Sequence, residues 1–158
     1  MPKLLENCGP VDNTINILQL PAYTLYGIEI RVPRQVSGDR NKLWDRFQRE
    51  NIADEIPARA DEKLIVAYHS YEGDHNAPCT CFLGCEVFDV ACVPDGFFLR
   101  EIPAGQYAEF HARGAMPLAL KNTWQAIRNS KLRRSYTIDF EVHDPRSPEE
   151  VVVYVSAH

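Results

Sequence analysis

Several features are missing from this chain of 158 residues. No apolar run approaches the roughly 18 residues that a membrane-spanning helix needs. Met1 to Gln19 lacks the basic start and apolar core of a secretory signal. G-x-S-x-G elbows, phosphate-binding loops, dinucleotide fingerprints and H-E-x-x-H motifs are also missing. We therefore expect a cytoplasmic protein without membrane association, and no catalytic residue is assigned.

Basic residues are outnumbered. The chain has 17 Lys and Arg against 22 Asp and Glu, which gives a formal net charge of −5. Nucleic-acid surfaces need clustered Lys and Arg, so this balance argues against one and mildly favours cationic partners. The length suits a single domain over residues 1–158.

The cysteines lack the paired C-x-x-C spacing of structural zinc sites. Cys79, Cys81 and Cys85 would share one face of an unbroken strand, and His75 is near in sequence, so a metal site is an alternative. Free cysteine is more commonly a small buried hydrophobe. We expect reduced thiols, no metal and no cofactor.

Apolar periodicity predicts two similar series of elements. Asp39 is expected as the N-cap of the first helix, which carries Trp44, and Trp124 lies on the second helix. Residues 1–14 have no apolar period and are interpreted as a loose lead. The predicted strands cover residues 15–32, 64–71, 79–93, 97–113, 136–143 and 151–157, and a turn or bulge is expected at 104–105.

The order strand, helix, strand, hairpin loop, strand occurs twice, over residues 15–93 and 97–158. Two such βαββ units would pair into one mostly antiparallel sheet with both helices packed on it. The predicted fold class is therefore α+β, built by duplication.

The segment VPDGFFLREIPAGQYAEFHARG (93–114) resembles a signature of the GyrI-like small-molecule-binding family. That family also supplies effector-binding domains of AraC-type and MerR-type transcription regulators. LPAYTLYGIEIRV (20–32), NTWQAI (122–127) and DFEVHDPR (139–146) are similar to further family strings, in the family's order. The resemblance implies a ligand groove between the two helices, with Glu141 in the pocket. Family strings often have Tyr at the position of His143.

Regulators in this family also carry a helix-turn-helix domain. The fourteen-residue lead is too short to hold one. We therefore expect no direct DNA binding by that route.

Alternation in YTIDFEVH places Asp139, Glu141 and His143 on one face of a strand. The pattern alone favours a solvated polar face. The resemblance reverses this interpretation for Glu141 but leaves it in place for Asp139. A buried carboxylate without a partner binds a proton and can exchange it for a ligand cation, so we expect a raised pKa for Glu141 in the empty protein.

Aromatic side chains are expected around this acid, since cation–π contacts each contribute about 0.5–2 kcal/mol. Trp124 is interpreted as pocket lining and Trp44 mainly as a core anchor. Each Tyr taken alone is equally well a core residue with its hydroxyl at the rim. The candidate ligand-binding residues are Glu141, Trp124, Tyr107, Tyr68, Tyr71, Phe110, Trp44 and His143.

The sequence thus predicts a stand-alone effector-binding domain for small amphipathic molecules, chiefly lipophilic cations, which it sequesters or senses. One alternative is a GyrI-like hydrolase in which Glu141 is the general base and Tyr68 or Tyr107 polarises a carbonyl. His69, taken as the repeat equivalent of Glu141, would be its acid–base partner or an ordinary surface residue. A third interpretation is a gyrase-type interaction inhibitor. Edge strands would also permit a homodimer or another protein partner.

Overall fold

The computed structural model describes residues 15–158, and the predicted lead over residues 1–14 lies outside the described residues. Eight strands and two helices make up the described chain, with a single 3-10 turn at Ile52–Glu55. The first half contains β1 (Asn16–Leu20), β2 (Tyr23–Val32), α1 (Arg40–Arg49), β3 (Leu64–His69) and β4 (Cys79–Glu86). The second half contains β5 (Phe98–Ile102), β6 (Gly105–Arg113), α2 (Leu118–Asn129), β7 (Arg134–His143) and β8 (Glu150–Ala157).

All eight strands belong to one sheet in the order β1-β6-β8-β7-β3-β4-β2-β5, and every pairing is antiparallel. If β1–β4 are matched with β5–β8, this order is symmetric about the β7–β3 seam. The predicted α+β class and the duplicated βαββ frame are therefore confirmed.

The two proline-containing junctions exchange strands between the halves. Pro21-Ala22 separates β1 from β2, and Pro103-Ala104 separates β5 from β6. β1 then pairs with β6 of the second half, whereas β5 pairs with β2 of the first. Proline cannot donate a ladder hydrogen bond, so each long strand expected from the sequence is divided in two at its proline.

Both helices pack on the same face of the sheet. Leu43 and Phe47 of α1 join Leu120, Trp124 and Ile127 of α2 in one buried apolar cluster. Asp39 occupies the predicted N-cap position, but its side chain makes no capping hydrogen bond and lies 3.4 Å from the ammonium of Lys42.

The opposite face of the sheet carries a second apolar cluster. Its buried members include Leu25, Phe82, Ile102, Tyr107 and Phe140. Because side chains alternate along each strand, these residues point away from the helices. The curled sheet therefore has two apolar faces, and the helices cover one of them.

A membrane-crossing helix, which must be both long and apolar, does not occur within residues 15–158.

Candidate functional site

Strand β7 directs two carboxylates toward the helices. Asp139 and Glu141 are both fully buried. The expectation of a solvated face at Asp139 is wrong, because the helix-covered face of the sheet is the one that holds the acids. Two buried acids two residues apart require compensating donors or charges.

Glu141 accepts four hydrogen bonds, two at each oxygen. Arg40 binds it with both terminal nitrogens, Nη1 at 3.0 Å from Oε2 and Nη2 at 2.7 Å from Oε1. Trp124 donates its indole N–H to Oε2 at 2.7 Å, and His143 donates from Nε2 to Oε1 at 2.8 Å. A carboxylate has about four acceptor positions, so Glu141 is saturated.

The raised pKa expected for Glu141 is a wrong prediction. Burial does raise the pKa of this carboxyl, but the Arg40 charge and the hydrogen bonds of His143 and Arg40 outweigh burial and bring the pKa to about 2. The acid is therefore ionised at neutral pH, and its counter-charge comes from the protein itself.

Arg40 is the first residue of α1, where a cation is disfavoured by the positive end of the helix dipole. Its side chain leaves this unfavourable environment and reaches Glu141, with its guanidinium carbon 5.8 Å from the ring centre of Tyr68. The side chain is 12% exposed, so it is not completely closed off from solvent.

A groove of about 730 Å³ runs between the two helices above this ion pair. Arg40 and Trp44 line it from α1, Trp124 and Lys121 line it from α2, and His143 lines it from the end of β7. Ring centres of Trp44 and His143 are 5.2 Å apart in an edge-to-face arrangement. The volume is within the range of roughly 300–1,000 Å³ that is usual for small-molecule sites.

Asp139 forms a second buried ion pair with Arg134, at 2.8 Å. Its carboxylate also accepts the Tyr71 hydroxyl, the Ser156 backbone N–H and, at 3.5 Å, the Gln35 amide. Burial and the neighbouring Asp139 charge raise the pKa of Tyr71 well above its usual range. The cluster ties the loop before α1 to β7 and supports the wall of the groove.

Five of the predicted ligand-binding residues come together at the groove or directly beneath it. They are Glu141, Trp124, Tyr68, Trp44 and His143. Trp124 lines the groove, as expected, although its side chain is fully buried. Trp44, expected mainly as a core anchor, is partly exposed in the groove.

Three predicted residues lie elsewhere. Placing Tyr107 in the same space is wrong, because its side chain points to the opposite face and donates to the carbonyl of Pro103 at 2.6 Å. Tyr71 belongs to the Asp139 cluster, and Phe110 packs against the core beneath the helices. Neither Tyr71 nor Phe110 lines the groove.

His69 does not face Glu141. Tyr68 faces the helices, so the next residue of β3, His69, points to the opposite side of the sheet. There its ring lies 3.1 Å from Glu29. The acid–base pair considered from the sequence therefore does not form.

The three strand cysteines share a face, as their parity predicts. Cys79, Cys81 and Cys85 are all buried, and burial raises the pKa of their thiols to about 11, 12 and 11 respectively. Throughout residues 15–158, His, Cys, Asp and Glu side chains form no group of three or more that could hold a metal ion.

Sequence reasoning missed Arg40 and Arg134. One signal for Arg40 exists, namely a basic residue at the first position of an amphipathic helix, where the dipole makes it unfavourable unless it pairs elsewhere. For Arg134 no local signal exists, because its inward direction depends on the irregular β7–β8 register between Arg134 and Asp139.

A family model for integron-associated effector-binding proteins matches residues 16–156. Over 138 residues the chain is 30% identical to the transcriptional regulator BrlR of Pseudomonas aeruginosa, covering 82% of this chain and 48% of BrlR. The chain thus spans about half the length of that relative.

Solved structures with the same fold include an integron cassette protein from the mobile metagenome of Vibrio cholerae. Its TM-score is 0.73 at 21% identity, over 91% of this chain and 95% of that one. A structure of the protein SAV2435 bound to tetraphenylphosphonium has a TM-score of 0.71 at 13% identity, over 92% and 94%. The C-terminal domain of EcmrR has a TM-score of 0.62 at 14% identity, over 92% and 97%.

Proposed function

The chain belongs to the family of integron-associated effector-binding proteins, and we propose that it binds small amphipathic molecules, chiefly lipophilic cations, in the groove between α1 and α2. This membership confirms the resemblance drawn from the sequence strings. The domain is a ligand-binding one; the class of ligand and the location of the site are the proposal.

One observation carries the proposal: a fully buried, ionised carboxylate lies beneath an aromatic groove of about 730 Å³. Trp44 presents a partly exposed ring to the groove from α1, and the buried Trp124 lines it from α2. A cation near Glu141 gains from the carboxylate, and rings attached to that cation gain from stacking on indole. An apolar groove with a few convergent polar groups is the usual form of a small-molecule site.

Two similar proteins support the proposed class of ligand and the proposed purpose of binding it. Tetraphenylphosphonium, which is bound in the SAV2435 structure, is a lipophilic cation. BrlR is a transcriptional regulator, which suggests that a related binding event serves sensing. For this chain, sequestration of the ligand is the other use that the same site would serve.

Intrinsic fluorescence tests the proposal directly, because both tryptophans of the chain, Trp44 and Trp124, line the groove. Titration with tetraphenylphosphonium should quench this fluorescence with a saturable, micromolar dependence. In Glu141→Gln the affinity should fall at least about tenfold, since the attraction between the ligand charge and a buried carboxylate is lost. Glu109→Gln, which removes a carboxylate away from the groove, is the matched control and should bind like the wild type. An absence of saturable binding, or equal binding by Glu141→Gln, would refute the proposed function.

The hydrolase alternative has less support. A carboxylate with a pKa of about 2 is a weak general base at neutral pH, and Tyr107 lies on the wrong face to assist it. Tyr68 is on the right face, but it is buried beneath Arg40 and Trp124. Within residues 15–158 no surface feature supports the gyrase-type interaction, and the net charge of −5 is modest.

A further inference from the structure

Arg40 stands where the charged group of a cationic ligand would bind. Its two terminal nitrogens take one position on each oxygen of Glu141, and Trp124 and His143 take the others. A ligand cation reaches the carboxylate directly only if one of these four donors leaves. Trp124 is fully buried, and departure of the 22% exposed His143 would leave the Arg40 charge beside the ligand cation. Departure of Arg40 instead exchanges one cation for another.

Departure of Arg40 would leave each oxygen of a buried carboxylate one hydrogen bond short. A quaternary cation restores the charge but has no N–H to donate, so both hydrogen bonds would stay unmade. Unmade hydrogen bonds to a buried charged group are strongly unfavourable. An amidinium or guanidinium group presents two parallel N–H bonds in the same fork as Arg40 and restores charge and hydrogen bonds together.

We propose that Arg40 is a resident cation that the ligand displaces, and that the preferred ligand is an aromatic amidinium or guanidinium whose planar N–H fork takes its place on Glu141. This inference rests on the proposed function and narrows it to one class of cation. The aromatic part of the ligand lies along the groove against the partly exposed Trp44, with the buried Trp124 lining the opposite helix.

Two ligands of equal charge and similar size distinguish the effect of the N–H fork on affinity from the effect of the charge. Naphthamidine carries an amidinium, and naphthyl-trimethylammonium carries a quaternary cation without N–H. Calorimetric titration should give naphthamidine at least about tenfold tighter binding, because it makes two hydrogen bonds to a charged acceptor. The preference should disappear in Glu141→Gln. Equal or tighter binding of the quaternary compound by the wild type would overturn the inference.

The displacement of Arg40 is tested by removing it. Arg40→Ala should bind naphthamidine at least about tenfold more tightly than the wild type, since the resident competitor is gone. Lys42→Ala is the matched control, because Lys42 is an exposed cation of the same helix that does not line the groove. It should change affinity less than about threefold, as expected for a screened surface charge. Unchanged or weaker binding by Arg40→Ala, or an equal gain in both variants, would overturn the displacement.

The wild-type protein gives a second readout, so a poorly folded Arg40→Ala leaves the inference testable. Side-chain nitrogen NMR signals of Arg40 should be protected from solvent exchange in the empty protein and lose that protection when naphthamidine saturates the site. Protection that persists at saturation would contradict displacement. If tetraphenylphosphonium binds in a Glu141-dependent way while naphthamidine shows no preference, the inference fails and the proposed function stands; if no cation binds, both fail.

Discussion

Four donors converge on Glu141, and they differ in what they can do. Trp124 and His143 hold the carboxylate from positions set by α2 and β7. Arg40 adds the opposite charge from the end of a long side chain at the start of α1. A buried ion pair of this geometry is not strong evidence for stability, since desolvation offsets much of its attraction. We propose that its value in an effector-binding domain is that one partner can be exchanged for another cation.

Replacing Glu141 by Gln should destabilise the protein in a pH-dependent way. At neutral pH we expect a loss of about 3 kcal/mol in the free energy of unfolding, because Arg40 is left buried without its counter-charge. The folded-state pKa of about 2 lies below the ordinary value of 4.5, so the contribution of ionised Glu141 is complete above pH 4.5. It is lost as pH falls from 4.5 to about 2. Urea denaturation across this range measures the difference between wild type and variant.

Glu29 has the same depressed pKa of about 2, held by Arg100 and His69 against burial. The wild type and Glu141→Gln therefore both lose the contribution of Glu29 in acid. The difference between their free energies of unfolding reports on Glu141 alone. A difference that stays constant down to pH 2 would contradict the ion pair.

For two tyrosines on the helix-covered face, loss of the hydroxyl should change the stability of the protein differently. Tyr71→Phe removes a donor to the buried Asp139 and should cost about 1–2 kcal/mol. The Tyr68 hydroxyl is buried and has no hydrogen-bond partner in the described part of the chain, so Tyr68→Phe should be neutral or stabilising. Thermal denaturation compares them, and an equal loss in both would show that the Tyr71–Asp139 bond is unimportant.

Strands β2 and β4 approach each other unusually closely on the face of the sheet away from the helices. Gly27 and Gly84 are paired across the two strands. A Cβ on Gly27 would lie 2.2 Å from the carbonyl oxygen of Leu83 and 2.8 Å from the ring of Phe82. Glycine is needed here for space, and the Phe82 ring covers the place that two side chains would occupy.

Gly27→Ala should therefore destabilise the sheet by about 3 kcal/mol, since backbone atoms must move to admit a methyl group. Gly105→Ala is the control: this glycine also lies in a strand, but its added Cβ meets nothing within 4 Å. Chemical denaturation should find the control within about 1 kcal/mol of the wild type. Equal stability of the two variants would contradict the close approach.

The sequence predicted most elements because alternation and helical spacing are local signals. It placed Glu141 on the correct strand face, yet alternation cannot tell whether a polar face meets water or helices; the Asp139 assignment failed for that reason. The Arg40 contact spans 101 residues along the chain and depends on how α1 lies over β7, which no local pattern encodes. The turn expected at 104–105 lies close to the break between β5 and β6, but the strand beside which β1 or β5 pairs is decided by tertiary structure, not by local sequence.

For the whole molecule, the exchange of first strands joins the two halves more closely than the β3–β7 seam alone. β1 completes the second half beside β6, and β5 completes the first half beside β2. Each half alone would leave its own first strand without a partner and its second strand as an exposed edge.

Fragments cut in the turn after Asp95 should therefore not fold separately. We expect residues 1–95 and 96–158 to lack a cooperative urea transition when alone and to regain one when mixed, because the exchanged strands then pair again. Circular dichroism follows both cases. A cooperative transition in either isolated fragment would contradict the exchange as a requirement for folding.

The most direct test of the account is a crystal structure of the protein with a bound lipophilic cation. We expect the charged centre to lie between α1 and α2, within about 4–6 Å of the Glu141 carboxylate, the range in which opposite charges interact strongly. We also expect the aromatic part to contact Trp44 and Trp124. A ligand bound on the opposite face of the sheet, or in the groove with its charge directed away from Glu141, would contradict the proposed site.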